Sequence, residues 1–123
     1  IKIIINAVNN KLKKTKIEWK KEKSMTIVLC SKGYPGKYIK NKSIKNINKL
    51  KLFKNDYVYH AGTRLKNGQL LSNGGRVLNM TSTGKRFLDI RNRIIKLMKV
   101  LNWKAGFYRK DIGWRTINKN ENN

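Results

Sequence analysis

The sequence predicts an α+β fold, a small antiparallel sheet carrying one long packed helix. Three observations point there. Apolar runs of strand length lie at 25–30, 57–61 and 76–81, bounded by polar and glycine-rich stretches. An Asn67-Gly68 pair between Arg64-Leu65 and Gln69-Leu70-Leu71 is a type I′ hairpin signal. Beyond the last run, Phe87, Ile90, Ile94, Leu97, Met98 and Leu101 fall on one face of a helix that opens at Gly84 and runs through Asn102. At 123 residues the chain is one domain.

In order, residues 1–14 set Ile1, Ile4, Ile5, Val8 and Leu12 at helical spacing, with lysine and asparagine outside. This predicts an amphipathic helix whose stripe needs a surface to rest on. Residues 15–24 form a charged connector around Trp19. The continuous apolar run at 25–30 predicts a strand buried on both faces. Its end, Cys30, is then a buried, inert thiol. Pro35-Gly36 suits the two central positions of a type II turn, with positive φ at Gly36. Residues 37–55 read as loop with short irregular pieces. Next comes an antiparallel meander of three strands with tight turns: 57–61 ending at Gly62-Thr63, the hairpin around Asn67-Gly68, and 76–81. The long helix carries Arg86, Arg91, Arg93, Lys96 and Lys99 opposite its apolar face. A solvated basic face is favoured there over membrane or acidic-partner binding. Gly106–Arg109 predicts a last strand, Asp111-Ile112-Gly113 a turn, and residues 118–123 a polar tail.

The composition gives 30 basic and 6 acidic residues, a net charge of +24. Such a field attracts polyanions. The charge is mostly lysine and is spread along the chain. Together with abundant Asn and Ile it also fits AT-biased codon usage. Weak, salt-sensitive nucleic-acid binding is expected on either account. The single cysteine excludes an internal disulfide and a cysteine-based metal cluster. No apolar run reaches membrane-spanning length and no signal segment is visible, so a cytoplasmic location is expected. The first residue is Ile1, which suggests a fragment, a processed form or a trimmed piece.

The chain offers few parts for catalysis. His60 is the only histidine and is read as hydrogen-bonded structure. The acids Glu18, Glu22, Asp56, Asp89, Asp111 and Glu121 make no paired-carboxylate or metal-binding pattern. Walker A and dinucleotide-binding signatures are missing. No catalytic and no metal-binding residue is therefore assigned. Arg109 and Asp111, with Arg115 beyond, suggest a structural ion pair. The remaining candidate site is Asn73-Gly74-Gly75-Arg76, ahead of Val77-Leu78. Its glycines allow close approach, and its arginine is a fork for carboxylate or phosphate. A plain hairpin turn is the other reading. The turns at 33–36 and 60–63 are expected to gather around it.

Four motifs occur in order: Ser31-Lys32-Gly33-Tyr34-Pro35-Gly36, His60-Ala61-Gly62-Thr63, Asn73-Gly74-Gly75-Arg76-Val77-Leu78 and Tyr108-Arg109-Lys110-Asp111-Ile112-Gly113. As a set, over residues 19–115, they resemble the C-terminal domain of the phosphoribosylamine–glycine ligases (glycinamide ribonucleotide synthetases), ATP-grasp enzymes of purine synthesis. The resemblance implies a barrel-sandwich-like sheet with one packed helix at 19–117. It implies that 1–18 is the helix and connector closing an ATP-grasp domain. The complete enzyme would join glycine to 5-phosphoribosylamine, using ATP and Mg²⁺ or Mn²⁺ bound by domains missing from these residues. This part would close the cleft and would not catalyse alone. Its partners would be the remaining domains, in one longer chain or as a separate subunit. Asn73, Gly74, Gly75 and Arg76 would meet substrate. The alternative is a small basic nucleic-acid-binding protein.

Overall fold

The computed structural model describes residues 1–121, with side chains through Lys119. Its elements are α1 (Lys2–Val8), β1 (Lys23–Ser31), β2 (Asp56–His60), β3 (Thr63–Lys66), β4 (Gln69–Ser72), β5 (Arg76–Gly84), α2 (Phe87–Leu101), β6 (Gly106–Phe107) and α3 (Trp114–Glu121). Four strands form one sheet in the order β2-β5-β1-β6, and β3 and β4 form a separate ribbon. Every pairing is antiparallel. The α+β expectation holds.

The register sorts side chains onto two faces. Asp56–Ser82–Met25, Val58–Met80–Ile27 and His60–Leu78–Leu29 are rows across β2, β5 and β1. Next to them, offset by one residue, lie Tyr57–Thr81–Thr26 and Tyr59–Asn79–Val28, which point the other way. Helix α2 covers the first face. Its Ile90, Ile94, Leu97, Met98 and Leu101 pack with Ile27, Leu29, Met80 and Leu78 in a single buried cluster. Among the described residues the second face has no such helical cover. Strand β1 is therefore buried on one side only: Met25, Ile27, Leu29 and Ser31 are inside, while Thr26 is exposed and Val28 and Cys30 are half-buried. The expected two-sided burial is corrected, and with it the buried thiol at Cys30. An unbroken apolar run resembles a doubly covered strand, but this sheet has a helix on one face alone.

Hydrogen-bonded β2 and β5 lie side by side, so the expected three-strand meander is also corrected. The β3–β4 ribbon is an excursion between them. Its turn has φ +49° at Asn67 and +71° at Gly68, as a type I′ turn requires. The ribbon's outer strand is met by residues 41–44: Asn41 donates to Ser72 O (2.7 Å) and Ile44 to Leu70 O (2.8 Å). Trp103 Nε1 donates to Ser43 O at 2.9 Å, which ties this loop to the end of α2. At the other corner, Tyr34-Pro35 is cis and the positive φ (+94°) belongs to Gly33. The type II turn expected at Pro35-Gly36 is thus replaced by a different corner.

The ends differ from expectation as well. Helix α1 stops at Val8, and the rest of 1–14 is a 3₁₀ turn, Leu12–Lys14. No residue of α1 is buried, and Trp19 is 87% exposed. The stripe has no surface to rest on among the described residues. Residues 118–121, expected in a polar tail, continue α3, which seats Ile117 in the core. The remainder of that stretch lies outside the described residues. Among the described residues no helix is long and apolar enough to cross a membrane.

One charged group sits inside. Asp56, with 1% of its side chain exposed, lies 3.3 Å from Arg93 Nε. It accepts from Ser82 Oγ and from Phe53 N–H. Arg93 Nη2 also donates to Ser82 Oγ (2.7 Å) and Thr83 O (2.6 Å). The cluster joins β2, β5 and α2.

Two stability outcomes follow from this packing. A Cβ on Gly62 would lie 2.5 Å from Gly74 Cα and 2.6 Å from Arg76 O, both immovable backbone, whereas Gly68 faces open space. Urea titration should show Gly62→Ala losing more than about 2 kcal/mol and Gly68→Ala about 1 kcal/mol, the strain of a left-handed residue. Asp56→Ala strands Arg93. Because the guanidinium keeps partial solvent access, the loss should be about 2–3 kcal/mol, below that of a fully buried pair.

Candidate functional site

The loop Asn73–Arg76 is where three parts of the chain meet. Asn73 and Gly74 N–H groups both donate to Gly62 O, at 2.7 and 3.1 Å. Ser31 N–H donates to Gly75 O at 2.8 Å, and Ser31 Oγ to Gly74 O at 2.9 Å. A Cβ on Gly75 would fall 2.1 Å from the Tyr34 ring, and one on Gly74 would fall 2.9 Å from Gly62 Cα. The turns at 33–36 and 60–63 do gather here. The space freed by the two glycines is filled by the chain's own Tyr34 and Gly62. Neither Gly74 nor Gly75 has positive φ. The N–H of Gly74 is thus committed within the fold, and Asn73 stands exposed at the loop's outer edge.

Arg76 is aimed by an irregularity of the strand. Leu29 pairs with Leu78, but the next residue, Cys30, pairs with Arg76, so Val77 has no opposite number. In a regular strand Arg76 would share the core side with Leu78. The extra residue turns it over. Val77 itself is fully buried, and Arg76 stands exposed beside Cys30 on the open face.

There Arg76 borders a cleft of about 390 Å³, lined also by Val28, Pro35, Phe107, Ile112, Tyr34, Tyr108 and Arg109. Cys30 lines it too. Partial burial pushes its thiol pKa up, and the positive charge of Arg76 pulls the other way. Arg109 is bound to Asp111 through two hydrogen bonds of 3.1 and 2.7 Å. The bond from Arg109 holds the Asp111 carboxyl below the usual range. Arg115 does not join that pair; it lies over the Trp114 ring at 5.3 Å. Tyr34 and Arg109 were quoted in the motifs, yet sequence reasoning gave one to a turn and the other to an ion pair. No spacing rule links residues 34, 76 and 109, which come from three separate segments of the chain.

His60 Nδ1 lies 2.9 Å from Thr63 Oγ1, the hydrogen-bonded role expected of it. Among the described residues no three of His, Cys, Asp and Glu gather as a metal would need.

Comparison with known proteins places this geometry. Residues 24–115 match the family described as phosphoribosylglycinamide synthetase, C domain. A phosphoribosylamine–glycine ligase of Brucella melitensis is 38% identical over 117 residues, covering 95% of this chain and 27% of its own length. The chloroplastic enzyme of that name from Arabidopsis thaliana is 36% identical over 122 residues, 98% of this chain and 23% of the relative. The crystal structure of the Thermotoga maritima phosphoribosylamine–glycine ligase superposes with a TM-score of 0.67 at 29% identity, over 88% of this chain and 27% of that one. The chain spans about a quarter of the length of such relatives. By the extent of these matches, the chain belongs to the phosphoribosylglycinamide synthetase C-domain family.

Proposed function

We propose that this chain is the C-terminal part of an ATP-dependent ligase that joins glycine to 5-phosphoribosylamine, giving glycinamide ribonucleotide in purine synthesis. On this reading residues 1–18 close the preceding ATP-grasp domain and residues 19–117 are the C-terminal domain. The remaining domains, in the same longer chain or in a separate subunit, complete the catalytic unit in the cytoplasm. Family membership supports the activity. The observation that supports a role for this part is the bulge at Val77, which brings Arg76 to an open cleft.

ATP and its Mg²⁺ or Mn²⁺ belong to the other domains. The cleft residues do not fit a metal–nucleotide pair, because arginines and apolar side chains line it and no carboxylate does. The local residues serve binding. Arg76 holds a carboxylate or phosphate of the substrates by charge-assisted hydrogen bonds, each worth about 1.5–3 kcal/mol. Asn73 and the Gly74-Gly75 backbone shape the approach. Val28, Pro35 and Phe107 give that contact an apolar surround.

A chimera tests this: the Brucella ligase with its matching quarter replaced by this chain. It should form glycinamide ribonucleotide, and this chain alone should not. Within it, Arg76→Ala should lower kcat/KM at least tenfold, with Arg76→Lys intermediate. A folded, active chimera whose kinetics ignore Arg76→Ala removes the arginine's role. Failure of the chimera to turn over, with its fold intact, counts against the ligase assignment.

A further inference from the structure

Another cavity, of about 330 Å³, lies on the side of the sheet that α2 covers. Two segments form it. Helix α2 gives Arg93, Lys96, Leu97 and Val100, spaced i, i+3, i+4 and i+7 and so one stripe of its surface. The chain leading into β2 gives Lys49, Lys51 and Phe53. Phe53 is 70% and Val100 42% exposed. The backbone beneath the Phe53 ring is held. Phe53 N–H donates to Asp56 Oδ2 at 3.2 Å, and Phe53 O accepts from Asp56 N–H at 2.9 Å.

The charge in this cavity is one-sided. Asp56 is the only carboxylate on its lining, is 1% exposed and is already paired with Arg93. Arg93 is fixed by bonds from Nε and Nη2 to Ser82 Oγ and from Nη2 to Thr83 O; none of these uses Nη1. Lys49, Lys51 and Lys96 are exposed, and their ammonium groups meet no carboxylate among the described residues.

We propose that this cavity binds an organic anion with an apolar ring, a carboxylate or phosphate ester whose ring lies against Phe53, Leu97 and Val100 and whose head group meets the lysines. The proposal does not depend on the ligase assignment. The attraction comes from cations on the lining itself. A simple ion would leave the apolar walls wet, and a neutral hydrocarbon would leave the ammonium groups unanswered. An aryl anion satisfies both, with a ring face for Phe53. Arg93 adds an N–H whose position is set before the ligand arrives.

The test is an amide NMR titration of the full chain with naphthoate, naphthyl phosphate, the neutral naphthalenemethanol and inorganic phosphate. Both aryl anions should shift the amides of 49–56 and 93–100 saturably, and the tighter of the two names the natural head group. Inorganic phosphate alone should not saturate, and the alcohol should bind at least about tenfold more weakly than the acids. Lys49→Ala and Lys96→Ala should each weaken anion binding about threefold, and Phe53→Ala about fivefold. These side chains are exposed, so ligand-free melting temperatures within about 3 °C of the parent should show the fold kept. Equal affinity for the alcohol and the acids overturns the proposal in favour of a plain apolar hollow. Shifts confined to the residues around Arg76 overturn it too. So does loss of saturable binding in the assembled chimera, since another domain then fills the cavity.

Discussion

One unpaired residue, Val77, decides what the open face of this domain can do. It breaks the two-residue rhythm of β5, so that Leu78 keeps its place in the core while Arg76 emerges on the opposite side. The break is held from both flanks. Gly62 N–H bonds Arg76 O, and Ala61 N–H bonds Val77 O, at 2.8 and 3.0 Å. From the other side Ser31 grips the carbonyls of Gly74 and Gly75. These bonds need backbones nearly in contact, which is why glycine occupies 62 and 74; at 75 a Cβ would strike the Tyr34 ring. The glycines serve the arginine indirectly, by letting three segments converge tightly enough to fix the bulge.

The same sheet has to be dry on one side and wet on the other. Helix α2 supplies the dry side with a stripe of aliphatic residues. The single charge buried there, Asp56, is answered by Arg93 from α2 and by Ser82 and the chain turn at Phe53. A lone buried carboxylate would be expensive; with three donors around it, it becomes a register mark that fixes helix, edge strand and central strand together. Most of the remaining positive charge lies outside, where it is solvated. The large net charge and the small neutral core do not compete for the same residues.

Much of this was legible in the chain. The α2 stripe, the Asn67-Gly68 turn and the strands at 25–30 and 76–81 follow from periodicity and turn chemistry, which are local. The four ordered motifs carried the family. What was illegible depended on distant pairing. An apolar run such as Met25–Cys30 does not say how many helices will cover it, so Cys30 was misplaced. Period-two counting sets Arg76 with Leu78, so the bulge that frees it was invisible. A glycine pair looks the same whether a ligand or Tyr34 fills the gap above it. The ribbon between β2 and β5 was taken for part of a meander because adjacent strands usually pair, and here hydrogen bonds at Gly62 close the longer loop instead.

Two arginines border the cleft, and their neighbours separate their roles. Arg109 is already bound to Asp111, whose carboxyl stays ionised to lower pH than usual because of that contact. An anion entering the cleft near neutral pH therefore meets an arginine whose charge is compensated. Arg76 has no carboxylate ion-pair partner among the described residues, and partial burial raises the pKa of the Cys30 thiol that pairs with it across the bulge. Its charge is the uncompensated one. An anion seated against apolar walls gains most from the cation that gives up least to meet it. On that ground Arg76 is the better placed of the two for the proposed anion-binding role, while Arg109 is held by Asp111 within its own chain segment.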